Sequence, residues 1–158
     1  MYKRQRSFGG EASLLATLWR NLDLQVAYGY TRATFVKFDT GKADYAGNFI
    51  PYAPQHTLYA GASYTLRTGW NCLEYVIFRV AANGAGRIYW NEANPFSQPF
   101  YALLEASIRF EHRHWAVDVW GRNLTDTRYD TFYFMSIGNS FLQRGRPRTF
   151  GVSLSITL

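Results

Sequence analysis

Over its last ten residues the chain alternates without a slip. Thr149, Gly151, Ser153, Ser155 and Thr157 interleave with Phe150, Val152, Leu154, Ile156 and Leu158. Successive side chains of a β-strand point to opposite faces, so this stretch is predicted to be a strand with one apolar and one small, polar face. Ten residues is also about the length of a strand that crosses a bilayer at a tilt.

The pattern recurs along the chain, and seven such segments are predicted, separated by turn chemistry. The first covers residues 8–18 and turns at Arg20-Asn21, where Asn tolerates the left-handed backbone of a tight turn. The second covers residues 22–38. It puts Leu22, Leu24, Val26, Tyr28 and Tyr30 against Asp23, Gln25, Ala27, Gly29 and Thr31. A loop rich in Gly, Asn and Pro spans residues 39–54. The third segment, 55–66, is closed by Arg67-Thr68-Gly69. The fourth, 72–90, has Ile88 and Trp90 on its apolar face, with a bend or bulge expected at Gly84 and Gly86. After a loop at 91–99, the fifth covers 100–111 and turns at His112-Arg113. The sixth starts at His114 and is predicted to run past Asn123 to Asp126 toward Phe134. A loop over 135–148 leads to the final segment.

The connections alternate, short near residues 20, 68 and 113 and long near 45, 95 and 140. Short turns at one rim and long loops at the other are the habit of membrane barrels. Aromatic residues make up 18 % of the chain. Tyr28, Tyr30, Phe35, Tyr89, Trp90, Phe100, Phe110 and Trp115 fall toward segment ends, where interfacial girdles belong. No apolar run approaches the length of a membrane helix. The mean hydropathy of −0.25 is no argument against membrane strands, whose signal is weak. The fold expected is all-β: an antiparallel, up-and-down transmembrane β-barrel fragment of about seven long strands, with short periplasmic turns and longer extracellular loops.

At 158 residues the chain is one domain or a piece of one. A self-contained small barrel or a soluble β-sandwich is the alternative. Against the sandwich stand segments well beyond the usual five or six residues. The net charge of +6 is spread out. Its densest runs, Lys3-Arg4-Gln5-Arg6 and Arg144-Gly145-Arg146-Pro147-Arg148, are expected at solvated or headgroup-facing positions, with no nucleic-acid partner. The alternate faces carry Glu11, Asp23, Arg79, Arg87, Glu105, Arg109, Asp118 and Arg122, which a barrel would turn into its lumen.

Cys72 is the sole cysteine, so no internal disulfide can form. His112-x-His114 lacks a third ligand at a suitable spacing, and no metal or other cofactor is expected. There is no phosphate loop or Ser/His/Asp arrangement. Glu105 and Glu111 share a face but lie roughly 20 Å apart along a strand, too far for paired acid–base work. No enzyme is expected. Met1 to Arg6 followed by Ala12 to Trp19 imitates a signal peptide. Glu11 and the missing small-residue cleavage site favour a strand, and the chain is read as lacking an export signal.

Gly121-Arg122-Asn123-Leu124-Thr125-Asp126-Thr127-Arg128-Tyr129 resembles the penultimate-strand motif of TonB-dependent outer-membrane receptors, an Asn-Leu-x-Asp core followed by a Tyr. Arg146-Pro147-Arg148-Thr149-Phe150-Gly151-Val152 resembles the family's closing strand. Pro51 to Leu58 resembles the family's Pro-containing entry to an earlier strand, and Arg87 to Glu92 looks like a strand rim of that family. The resemblance implies a barrel of 22 strands around a plug. It also implies import of scarce ligands such as iron–siderophore complexes, driven through TonB. The residues carried over are Asn123, Leu124, Asp126, Tyr129, Pro147, Arg148, Phe150 and Gly151.

The departures are a missing plug, TonB-contacting segment and signal peptide, a terminal Leu158 in place of an aromatic, and an odd number of strands. The expectation is therefore a single C-terminal barrel portion over residues 1–158, two open edges included, in the cell outer membrane once part of the full receptor. Its partners would be outer-membrane lipid, the rest of the barrel and the plug, with TonB reached through other segments. The candidate ligand path comprises Arg79, Arg87, Glu105, Arg109, Asp118 and Arg122, with the loops at 39–54, 91–99 and 135–148. Alone, the chain is expected to transport nothing.

Overall fold

The computed structural model describes residues 3–157. Leu158, the last position of the terminal alternation, lies outside them, as do Met1 and Tyr2. Eleven strands follow in order. They are β1 (Lys3–Leu18), β2 (Leu22–Phe38), β3 (His56–Trp70), β4 (Leu73–Gly86), β5 (Ile88–Tyr89), β6 (Ser97–Gln98), β7 (Tyr101–His112), β8 (Trp115–Arg122), β9 (Asp130–Ser136), β10 (Asn139–Arg144) and β11 (Thr149–Ile156).

Seven of them form one antiparallel sheet in the order β1-β2-β3-β4-β7-β8-β11. This is the meander that the alternation predicts. Among the described residues β1 and β11 each pair on one side only, so the sheet does not close. Neither does it stack on a second sheet of comparable size, because β9–β10 and β5–β6 are two-stranded ribbons. The sandwich and the small closed barrel are thereby set aside.

Register makes the two faces continuous across the sheet. On the convex face Leu18, Leu22, Tyr64, Phe78, Ile108, Val119 and Val152 stand opposite one another in a single row. The next row is Ala16, Leu24, Ala62, Val80, Ala106, Gly121 and Phe150. Many large side chains of this face are uncovered: Leu14 is 65 % exposed, Val152 67 % and Phe150 70 %. An apolar face this large is unstable in water but suits hydrocarbon, which also demands that backbone groups be paired along the sheet. From Leu18 to Phe8 the apolar face of β1 runs about 33 Å along the strand. At the usual tilt this is close to the ~25 Å apolar band of an outer-membrane barrel.

Several predicted boundaries move. β1 begins at Lys3, because its polar start pairs with the end of β2 as far as Phe38. The first turn takes its left-handed backbone at Trp19 (φ 45°) and Arg20 (φ 33°), not at Asn21. Arg67-Thr68-Gly69 is no turn: β3 runs on to Trp70 with a bulge there, and Asn71-Cys72 turn the chain. The fourth segment ends at Gly86, whose φ of +135° is open only to glycine. Ile88 leaves the sheet to pair with Gln98 in a ribbon. The sixth stops at Arg122, and Asp130–Ser136 folds back on Asn139–Arg144 as a separate hairpin instead. Gly151 stands on the concave face beneath the Trp120 ring, which leaves no room for a Cβ.

β2 carries one more irregularity. Gln5 faces Phe35 but Arg4 faces Lys37, so Val36 is an extra residue. Above this bulge the phase of β2 reverses. Phe35 and Phe38 are both buried on the concave side, their ring centroids 4.9 Å apart.

Candidate functional site

The concave face is the polar counterpart of the apolar one. One row across the sheet reads Thr17, Asp23, Ser63, Arg79, Ser107, Trp120 and Gly151, and the row beside it Thr65, Ile77, Arg109, Asp118 and Ser153. Side chains from these rows line an open concavity of about 530 Å³. Arg79, Glu105, Asp118 and Arg122 all border it, with Tyr59 and Trp120 as its large aromatic walls. Thr17 Oγ1 donates to Asp23 Oδ1 at 2.7 Å. Trp120 Nε1 donates to Ser153 Oγ at 3.2 Å, and the Arg122 guanidinium lies 4.9 Å from the Trp120 ring centroid.

The remaining expected luminal cations sit apart from that group. Arg109 faces Asp118 in register, yet its Nε donates to Glu111 Oε2 at 2.8 Å. Asp118 Oδ1 is buried and accepts no hydrogen bond among the described residues. Arg87 falls between β4 and β5 at the long-loop rim, its carbonyl oxygen accepting from Gln55 N at 3.0 Å. No cluster of three or more His, Cys, Asp or Glu that could hold a metal occurs among the described residues.

The long loops interlock above the sheet. Tyr52 Oη donates to the Tyr133 carbonyl oxygen at 2.8 Å. The Tyr52 ring stacks on Phe132 and meets Trp90 edge-on, both at 5.6 Å. Asn94 Nδ2 donates to the Phe49 carbonyl oxygen and Asn48 Nδ2 to that of Glu92. Phe35 and Trp90, expected in an interfacial girdle, are instead buried. This cap was not foreseen. Its only trace in the sequence is the density of aromatics over residues 89–101 and 129–141.

The Asn-Leu-Thr-Asp stretch and the Pro-Arg stretch meet as a latch. Asn123, 4 % exposed, donates from Nδ2 to the carbonyl oxygens of Thr127 and Arg146, each at 3.0 Å. Its Oδ1 accepts from Thr127 N at 2.8 Å. Asp126 Oδ1 accepts from Arg148 N at 3.0 Å. Leu124 N donates to the Leu104 carbonyl oxygen at 2.8 Å. Tyr129 stacks on Tyr101 at 4.5 Å and covers Gly145. These residues brace the wall between β8 and β11.

Residues 2–124 match the family model described as "TonB dependent receptor-like, beta-barrel". The chain is 27 % identical over 113 residues to the pesticin receptor of Yersinia pestis, covering 71 % of this chain and 16 % of that protein. The pesticin receptor of Yersinia enterocolitica matches at the same identity and coverage. Among solved structures, the ferric yersiniabactin uptake receptor FyuA of Yersinia pestis superposes with a TM-score of 0.85 at 22 % identity, over 98 % of this chain and 24 % of that one. BauA, the ferric preacinetobactin receptor of Acinetobacter baumannii, gives 0.73 at 21 % identity, over 96 % and 22 %. The chain thus spans about a sixth of the length of the curated relatives it matches.

Proposed function

The chain belongs to the TonB-dependent receptor β-barrel family, and from that membership we propose that it forms one sector of the wall of an outer-membrane receptor importing an iron–siderophore complex or a similarly scarce nutrient. In this reading the convex face meets lipid and the concave face lines the import path. The observation that carries it is the unbroken apolar row from Leu18 to Val152, backed on the opposite face by Thr17, Asp23, Ser63, Arg79 and Ser107. The relatives support the ligand class: two are named as receptors for ferric siderophores. The family is one of transport receptors, and the wall's own task is recognition and passage without chemistry.

Within this proposal Arg79, Glu105, Asp118 and Arg122 lie on the path through the lumen. Asp118 Oδ1, lacking a partner in this sheet, takes a donor from whatever fills the barrel, a plug included. Arg87 belongs to the loop rim and Arg109 to an ion pair with Glu111. Energy from TonB would reach the receptor through segments other than these strands, so this sector alone moves nothing.

The test has two arms. The purified chain is expected to need detergent to stay dispersed, because its convex apolar face and two open strand edges are exposed in water. A compact, monodisperse monomer in plain buffer would sink the wall assignment. Cells making only these residues are expected to show no TonB-dependent accumulation of ferric siderophore, and uptake there would overturn the claim that coupling lies elsewhere.

A further inference from the structure

We propose that Arg109 is a two-position switch in the concave wall, paired with Glu111 in one position and with Asp118 in the other. The structure shows the first. Arg109 Nε donates to Glu111 Oε2 at 2.8 Å, and the two side chains keep 30 % and 39 % of their surface exposed, which leaves room to turn. The carboxylate of Asp118 marks the second. It stands directly opposite Arg109 across the pairing of β7 with β8. Asp118 Oδ1 is buried and accepts no hydrogen bond among the described residues. Asp118 belongs to neither ion pair found there, Lys3–Glu92 or Arg109–Glu111. A buried carboxylate oxygen without a donor is costly, so this group favours any cation that can reach it.

Both carboxylates are within reach of one guanidinium. Directly opposed Cβ atoms of an antiparallel pair lie about 5 Å apart. Residues two apart on one strand share a face at a spacing of about 7 Å. Rotation of the Arg109 side chain alone therefore exchanges Glu111 for Asp118, and rotations of partly exposed side chains are fast.

Among the described residues no other cation is placed to take the part of Arg109. Arg122 shares the face of Asp118 on β8, but its guanidinium lies 4.9 Å from the Trp120 ring centroid. Arg79 stands opposite Ser107 on β4, two strands away from β8. On its other side Asp118 faces Ser153, whose Oγ accepts from Trp120 Nε1. Glu111 faces Tyr75 and Ala116, and the nearest cation of that row is Arg67, beyond Tyr75 on β3. One cation is thus shared between two anions.

The consequence is a movable charge. With Arg109 on Glu111, the uncompensated carboxylate is Asp118, which borders the concavity. With Arg109 on Asp118, it is Glu111, about 7 Å farther along the strand and one residue before the end of β7. The switch carries one negative charge from the concavity toward the short-turn rim with the backbone at rest. A cation presented to Asp118 from the concavity competes with Arg109 and holds it on Glu111. That bias rests on the reading that the concave face lines the import path. The two positions of Arg109 rest on the sheet alone.

The test uses the whole chain in nonionic detergent micelles, with arginine side chains labelled with nitrogen-15 and aspartate carboxyl groups with carbon-13. The Arg109 Nε–H resonance is identified by its absence from Arg109→Lys. Exchange of that proton with water should rise less than about threefold in Glu111→Ala and in Asp118→Ala, and roughly tenfold or more when both are replaced, because each carboxylate stands in for the other. In Glu111→Ala the Asp118 carboxyl resonance should shift from its wild-type position, and adding Arg109→Gln should reverse the shift. Loss of protection in Glu111→Ala alone, protection that survives in the double variant, or an unmoved Asp118 carboxyl resonance would each overturn the switch. Should the double variant not fold, Glu111→Ala decides by itself. Methylguanidinium probes the bias: it should bind the wild-type chain about threefold or more tightly than Glu111→Ala, in which Arg109 already occupies Asp118. Equal binding would overturn the bias. An Arg109 fixed on Glu111 would leave the wall assignment standing, since that is decided by whether the chain stays dispersed without detergent.

Discussion

Asn123 Nδ2 and the Arg146 carbonyl oxygen are 3.0 Å apart across 23 positions of sequence. That bond joins the segment leaving β8 to the segment approaching β11. The same amide group also closes the turn through Thr127, so one buried side chain holds both ends of the long connection.

Asn123→Ala is expected to destabilise the inserted sheet by roughly 2–3 kcal/mol, since it removes several hydrogen bonds and leaves buried backbone groups without partners. Asp126→Asn keeps an acceptor for Arg148 N and should cost less than half as much. Urea unfolding in lipid–detergent micelles measures both. Equal, small effects would deny the latch its structural role.

Gly151→Val should be disruptive because Trp120 occupies the space its side chain would need. Overpacking of this kind costs about 1–3 kcal/mol. Adding Trp120→Ala should recover much of the loss. The coupling in a double-mutant cycle is the readout, and additive effects would show that the two side chains do not compete.

Charge on the two faces should behave oppositely. Val80→Arg, in the middle of β4 on the convex face, is expected to cost about 2–4 kcal/mol in a bilayer. Ala81→Arg, the next residue, emerges opposite Glu105 on the concave face and should be nearly as stable as the parent. Denaturant unfolding in detergent micelles compares them, and equal tolerance would mean that the convex face does not meet the apolar phase.

Tyr52→Ala should loosen the loop cap. The substitution removes the bond to the Tyr133 carbonyl oxygen and the stack on Phe132. A loss of 1–2 kcal/mol raises the open population roughly 5- to 30-fold. Tryptic cleavage after Arg144 should accelerate accordingly while the seven-stranded sheet stays intact. Unchanged cleavage would mean that Tyr52 is not what pins the hairpin.

The seven-stranded meander was legible because the two faces of the sheet carry opposite chemistry at successive residues, as in Leu22, Val80 and Val152 against Asp23, Arg79 and Ser153. Turn positions were less so. Asn21 and Gly69 have the right chemistry, but β3 pairs on to Trp70, and Trp19 and Arg20 take the left-handed backbone, so the turns lie one to several residues away. The hairpin of β9 and β10 was missed because Tyr133 and Phe134 continue the alternation of β8 in sequence while the Asn123 latch breaks it in space. Of the luminal candidates, Arg79, Glu105, Asp118 and Arg122 share a face by phase and border one concavity. Arg87 does not, since phase loses meaning once a strand has ended. The Asn-Leu-Thr-Asp stretch is legible in sequence only as a resemblance, and its hydrogen bonds give the part it plays in this fold.

The strand count of the open sheet restricts what can complete it. In a meander of seven, β1 and β11 point the same way, so each margin accepts an antiparallel neighbour of the opposite sense. A second copy set in the membrane in the same orientation would offer β1 a parallel β11, which breaks the up-and-down rule. Only a complement with an odd number of strands can join the two margins. A second copy has the odd count but, in the same orientation, the wrong direction, which makes self-assembly into a ring a poor substitute for the remaining arc.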